Sequence, residues 1–224
     1  MRSVALFDLD KTIYNTHTFF PILKWFADRG LVSQKSHEAV MEELVRHRRG
    51  ETTYTDAARA MFAIMGEEVK GKSEKEFIED IAEFFKNNLS NFYPYFAEIL
   101  PKLKESHDVF LITTNVGQVA EAVKEMFELD GVICTNFEVK NGKFTGKMLT
   151  TLADGKHVVS DLLKKYGKGS IAVGDSENDI GMLELVDHPF CINPSPELLP
   201  VARKRGWKIV TDKNAGEEIS KVLE

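Results

Sequence analysis

The 224 residues carry 29 Lys and Arg against 35 Asp and Glu, a formal net charge of −6, with 43% hydrophobic residues. This balance fits an ordinary soluble globular chain and gives no electrostatic support to a nucleic-acid partner. Apolar runs stay well short of the roughly 20 residues of a membrane helix. The start, MRSVALFDLDKT, turns polar too soon for a signal peptide, and Cys134 and Cys191 read as buried thiols of a reducing compartment. A cytoplasmic protein with neither nucleic-acid nor membrane partners is expected, its oligomeric state open.

In chain order, VALF at 4–7 reads as a buried strand that runs straight into Asp8 and Asp10. From about 15 to 92 the pattern is helical. Phe19, Ile22, Leu23 and Phe26 form a stripe ending at Gly30; Val40, Leu44 and Val45 one ending at Gly50. Ala58, Met61, Phe62 and Met65 follow, ending at Gly66. A fourth helix opens with Ser73 and Glu76 at capping-box spacing and continues through Phe77, Ile78, Ile81, Phe84 and Phe85. Phe19, Phe20 and Trp25 read as bundle core, and Arg46-His47-Arg48-Arg49 as a solvated helix end.

Strands then alternate with helices. VFLIT (109–113), GVICT (131–135), SIAVG (170–174), PFCIN (189–193) and WKIVT (207–211) are apolar and β-branched, and 118–128 and 157–166 are amphipathic at helical spacing, the latter through Val158, Leu162 and Leu163. FEVKNGKFTG (137–146) is a hairpin turning at Asn141-Gly142. The expected fold is α/β: a Rossmann-like, mostly parallel sheet with helices on both faces, formed by residues 1–14 and 93–224, with an inserted α-helical bundle at 15–92.

Three strands end in polar residues: Asp8-Leu9-Asp10; Thr113-Thr114-Asn115; and Asp175-Ser176-Glu177-Asn178-Asp179. Ligands of open parallel sheets bind outside the carboxyl ends of the strands, so these ends would gather Asp8, Asp10, Asp175 and Asp179 in one crevice. So many carboxylates cannot all stay ionised without a cation. A hard divalent ion such as Mg²⁺, which takes carboxylates and keeps waters for a phosphate, resolves the repulsion. The six histidines, at 17, 37, 47, 107, 157 and 188, lack zinc-ligand spacing.

These residues resemble the haloacid dehalogenase superfamily. The first motif, Asp-x-Asp-x-Thr after a hydrophobic strand, stands as Asp8-Leu9-Asp10-Lys11-Thr12; the second as Thr113 in VFLITTN; the lysine as Lys156 in ADGKHVVSDLL; the fourth as GDSENDIGML, with Asp175 and Asp179. The helical insertion is similar to the cap of the phosphoserine phosphatase-like branch. The resemblance implies a phosphatase with Asp8 as nucleophile and Asp10 as general acid and base, two carboxylates whose i, i+2 spacing puts them on one side of an extended segment. It further implies Thr113 and Lys156 on the phosphoryl oxygens, and Mg²⁺ on the carboxylates of Asp8 and Asp175 and the main-chain carbonyl of Asp10, with Asp179 close by. Thr12 is expected to brace the loop, and Thr114, Asn115, Asn178 and His17 to stand on the substrate side. His17 and Met61 occupy the positions where phosphoserine phosphatases carry a glutamate and an arginine for the substrate's amine and carboxylate. The substrate is expected to be a small phosphorylated metabolite. A phosphotransferase or mutase passing phosphate to an alcohol or sugar, and a phospho-aspartate switch module, are the other readings.

Overall fold

The structure is a computed structural model that describes residues 1–150, 152 and 157–223. Strand β1 (Ser3–Phe7) is buried along its whole length, as a continuous apolar run flanked on both sides requires. The inserted segment follows with α1 (Phe19–Asp28), α2 (Gln34–Arg48), α3 (Tyr54–Val69) and α4 (Glu74–Asn87). Then come α5 (Pro94–Ser106), β2 (His107–Val116), α6 (Gly117–Phe127), β3 (Gly131–Lys140) and β4 (Lys143–Thr150). The chain continues through α7 (Ser160–Leu163), β5 (Ile171–Gly174), α8 (Ile180–Leu183), β6 (His188–Ile192), α9 (Leu198–Arg205), β7 (Lys208–Val210) and α10 (Ala215–Ser220).

Among the described residues the strands form a seven-stranded sheet ordered β4-β3-β2-β1-β5-β6-β7. Its pairs are parallel apart from the antiparallel β3–β4 hairpin. Alternate side chains serve two cores, as the strand period of two demands. Ala5, Phe7, Val109, Leu111, Ile171 and Val173 face α5, α6 and α10, with Phe7 and Phe96 edge to face at 4.9 Å. Val4, Leu6, Ile112, Ala172 and Cys191 face α8 and α9. The α/β expectation holds. β1 is central, with β2 on one side and β5 on the other, so the order of connections switches beside it and opens a crevice at the carboxyl ends of these three strands.

Several local expectations are corrected. Gly66 does not stop a helix: α3 runs through it to Val69. A Cβ there would sit 2.6 Å from the carbonyl oxygen of Gly146, so the glycine serves a close approach between α3 and the hairpin. Ser73 precedes α4 without a side-chain cap, and its backbone instead bridges to Lys143. In the 157–166 segment, a short 3₁₀ turn and α7 replace a longer helix; Val158 is exposed and Val159 is buried. Val45 and Ile78 are also exposed. The hairpin turn is as expected: Asn141 and Gly142 both have positive φ, 53° and 72°, the signature of a type I′ turn. Its first arm, however, is the continuation of β3.

That hairpin projects towards the helical insertion and is joined to it by backbone. Gly71 N donates to Phe144 O at 2.7 Å, Phe144 N to Lys72 O at 3.1 Å and Glu74 N to Gly142 O at 3.0 Å. The α3–α4 connection thus acts as a third arm on the hairpin. Gly66→Ala drives a methyl into a backbone oxygen that cannot rotate away. It is expected to destabilise the protein by about 1–3 kcal/mol, read as a fall of several degrees in thermal unfolding temperature.

Candidate active site

The loop after β1 is shaped by backbone bonds that turn it away from the sheet. Asp8 N donates to Val173 O at 3.0 Å, carrying the β1–β5 ladder one residue past the strand and fixing where the Asp8 side chain begins. The chain then reverses: Lys11 takes φ +58°, and the amides of Ile13 and Tyr14 both donate to Leu9 O, at 3.0 and 2.9 Å. From α5, the Tyr95 hydroxyl donates to Thr12 O at 2.7 Å. Burial pushes the Tyr95 hydroxyl well above its ordinary pKa, with Tyr93 and Asp8 adding to the effect, so it stays a neutral donor. The bracing expected of Thr12 therefore runs through its carbonyl; its hydroxyl is buried without a hydrogen-bond partner among the described residues.

Asp8, Asp175 and Asp179 are all buried, and each offers a carboxylate oxygen within 4.8 Å of the others. Asp179 turns one oxygen back on its own loop: Oδ2 accepts from Asp175 N at 2.8 Å and Ser176 N at 2.9 Å. The packing leaves no room beside it. A Cβ on Gly174 would lie 2.5 Å from the Asp179 carboxyl carbon, so the glycine of GDSEND is what admits the aspartate. Ser195 N in turn donates to Asp175 O at 2.8 Å.

Asp10 is held differently. Its Oδ1 accepts from Thr18 N at 2.8 Å and from Thr18 Oγ1 at 2.7 Å. Thr18 Oγ1 accepts from Asn115 Nδ2 at 2.6 Å. One hydroxyl thus donates once and accepts once, linking the end of β2 to the β1 loop through the start of α1. Thr18 sits at the N-cap of α1 but makes no side-chain cap there, because its hydroxyl is committed to Asp10. Asp10 Oδ2 faces His17, whose Nδ1 lies 3.9 Å away. Asn115 also turns Oδ1 to Val116 N, so its side chain is occupied by its neighbours. Asn115 N donates to Thr113 Oγ1 at 3.1 Å, which leaves that buried hydroxyl its hydrogen to donate.

These groups open on a cavity of about 500 Å³. Asp8, Asp10 and Asp175 line one end, with Thr114, Asn178 and His17 also on its wall. The opposite share of the lining comes from α1, α2 and α3 and includes Phe19, Phe20, Met61 and Phe62. Phe19 and Phe20 are therefore wall as well as core, while Trp25 packs on Phe84 at 5.9 Å and under Arg29. His47 and Arg48, read from sequence as part of a solvated helix end, also reach the cavity. Tyr54, at the start of α3, donates to Thr114 Oγ1 at 3.3 Å and so spans from the helical insertion to the sheet. Lys156 lies outside the described residues.

Thr18 and Tyr54 were not singled out by sequence reasoning. Thr18 had a signal, a threonine immediately before an apolar helical stripe. Tyr54 had none, since its partner is sixty residues away. The acidic cluster fits a hard divalent cation: its donors are carboxylate oxygens, they are buried, and their mutual repulsion needs a counter-charge.

The fold and site define a Rossmann-like α/β protein with an acidic crevice at a topological switch point. A family model described as haloacid dehalogenase-like hydrolase matches residues 5–184, and the chain belongs to that family. Several of its relatives are named phosphatases. A histidinol-phosphatase of Neisseria meningitidis serogroup C is 27% identical over 231 residues, covering 95% of this chain and 100% of that one. The phosphoserine phosphatase SerB1 of Mycobacterium tuberculosis is 34% identical over 113 residues, which span 48% of this chain and 37% of that protein. Among solved structures, a protein of unknown function from Bordetella pertussis Tohama I superposes with a TM-score of 0.76 at 26% identity, over 94% of this chain and 98% of that one. A substrate-bound phosphoserine phosphatase gives 0.68 at 19% identity over 100% and 99%, a likeness of fold.

Thr18→Val removes the hydroxyl between Asn115 and Asp10, taking the acceptor from the buried Asn115 amide and one of two donors from Asp10 Oδ1. Thermal or denaturant unfolding is expected to show a loss of about 1–3 kcal/mol, with Thr18→Ser close to the parent.

Proposed function

We propose that the protein is a Mg²⁺-dependent phosphatase that hydrolyses a small phosphomonoester through an aspartyl-phosphate on Asp8. The observation that carries this reading is the pairing of two unlike carboxylates at the end of β1. Asp8 lies buried beside Asp175 and Asp179, and Asp10 is anchored through one oxygen with the other turned to the cavity side near His17. A nucleophile needs to stay ionised beside a cation; a general acid needs a free oxygen that can carry a proton.

In the proposed reaction an Asp8 oxygen attacks phosphorus in line, and the bond to the leaving alcohol oxygen breaks. Asp10 gives that oxygen its proton. Water then attacks the phosphorus of phospho-Asp8, Asp10 takes a proton from it, and Asp8 is released with inorganic phosphate. Thr113 donates its hydroxyl hydrogen to a phosphoryl oxygen, and Lys156 offsets the charge that builds there. Asp8, Asp175 and the Asp10 carbonyl would hold Mg²⁺, with Asp179 fixing the Asp175 loop; the ion supplies charge neutralisation for the phosphoryl oxygens. Thr114 and Asn178 stand where a phosphate or its ester oxygen passes. Residues 15–92 act as a cap over the core formed by 1–14 and 93–224, with Tyr54–Thr114 as a contact between them. A cavity of this size favours a small phosphorylated metabolite.

Asp8→Asn is expected to lower kcat on a generic phosphomonoester at least about a thousandfold while unfolding at the parent temperature; retained turnover would overturn the assignment. Removing divalent ions with a chelator is expected to abolish turnover and added Mg²⁺ to restore it. Independently of activity, millimolar Mg²⁺ is expected to raise the unfolding temperature of the parent protein and not of Asp175→Asn, because an ion bound only to the folded state stabilises it by mass action.

A further inference from the structure

We infer that the leaving group preferred at this site carries a planar ring and that the helical insertion supplies a slot for it, an inference that rests on the phosphatase reading above. The wall contributed by His17, α1 and α3 is a file of rings in edge-to-face contact. His17 and Phe20 have centroids 6.5 Å apart, Phe20 and Phe19 5.3 Å, and Phe19 and Phe62 5.8 Å, each pair within 12° of perpendicular. Met61 and Phe62 are buried beside the cavity, and a second pair, His47 and Tyr54, meets at 6.2 Å. Edge-to-face files present ring faces and edges to a guest, the surfaces on which another ring packs best, and a thioether adds a polarizable contact.

Charge on the wall argues in the same direction. Among the described residues that line the cavity from the insertion there is no carboxylate, and its arginine, Arg48, is exposed on the last turn of α2. Besides the acids of the site, the core supplies Lys11, Glu177 and Glu197, all exposed. A zwitterionic leaving group seated against Phe20, Met61 and Phe62 would lose water from its ammonium and carboxylate without gaining buried partners, which is strongly unfavourable. A ring loses little there and gains contact. The volume, about 500 Å³, also lies in the range of roughly 300–1,000 Å³ typical of sites that enclose drug-sized molecules.

The experiment compares three esters in the presence of Mg²⁺: 2-phenylethyl phosphate, propyl phosphate and O-phosphoserine. The first two release alcohols of similar acidity, so their difference reports the ring. The expected result is a kcat/KM for 2-phenylethyl phosphate at least about tenfold above each of the others, the scale on which an apolar pocket discriminates. In Phe20→Ala the ratio of 2-phenylethyl to propyl phosphate should fall about fivefold or more, and in Phe20→Leu by a smaller factor; Phe20→Leu also serves where the alanine variant fails to fold. Equal or lower kcat/KM for the phenylethyl ester, with propyl phosphate still turned over, overturns the ring slot and leaves the phosphatase reading standing. An unchanged ratio in a folded Phe20 variant overturns it as well. No Mg²⁺-dependent turnover of any of the three esters overturns both.

Discussion

The structure is organised around like charges that must be held close together. Left to themselves, the carboxylates at the ends of β1 and β5 would separate or take up protons, since two such groups within a few ångströms cannot both ionise in a poorly solvated site. Here they are fixed by backbone. The Asp8 amide is tied to Val173, and Asp175 and Ser176 are tied to Asp179. Gly174 allows Asp179 to come within contact distance of the strand end. These bonds do not relieve the repulsion; they set the distance at which a divalent ion would relieve it. The interior place of β1 follows, because it needs a neighbour on each side, β2 and β5, from which to bring the remaining groups.

The two motif-one aspartates show how one short segment yields two chemical environments. Asp8 continues the strand and is buried beside other acids. Asp10, two residues on, lies where the chain begins to reverse, and its partner is a hydroxyl already engaged by Asn115. An acid that must hand over and recover a proton in the proposed reaction needs a fixed orientation without losing both oxygens to hydrogen bonds. Holding Oδ1 with two donors from Thr18 meets that need and leaves Oδ2 on the His17 side.

Much of this was legible from residue pattern. Continuous apolar runs ending in Asp8, Thr113 and Gly174 identified the strands that converge, and the Asn141-Gly142 dipeptide identified the hairpin, because in each case the signal is local. What sequence did not reveal depends on contacts between distant segments. Gly66 looks like a helix terminator until Gly146 is seen against it. Ser73 has the spacing of a capping box, but its backbone pairs with the hairpin instead. Arg48 and His47 have the composition of a solvated helix end, and only the packing of α2 over the crevice brings them to the cavity. Thr18 sits at the boundary between the two kinds of information: its place before a helix is local, whereas its bond to Asn115 is not.

The helical insertion is fastened to the sheet at two levels, and this bears on how a substrate could enter. Low in the molecule, the α3–α4 connection shares backbone hydrogen bonds with the β3–β4 hairpin. Phe26, Phe77 and Phe144 stack edge to face across the same junction, at 4.8 and 5.4 Å. At the start of α3, a side-chain bond from Tyr54 to Thr114 also joins the insertion to the sheet, and α2 buries Val40 alone among its residues. Opening at the junction would break backbone pairing and expose aromatic core together. α2, with Val40 as its one buried residue, holds less apolar surface against the rest of the molecule than that junction does.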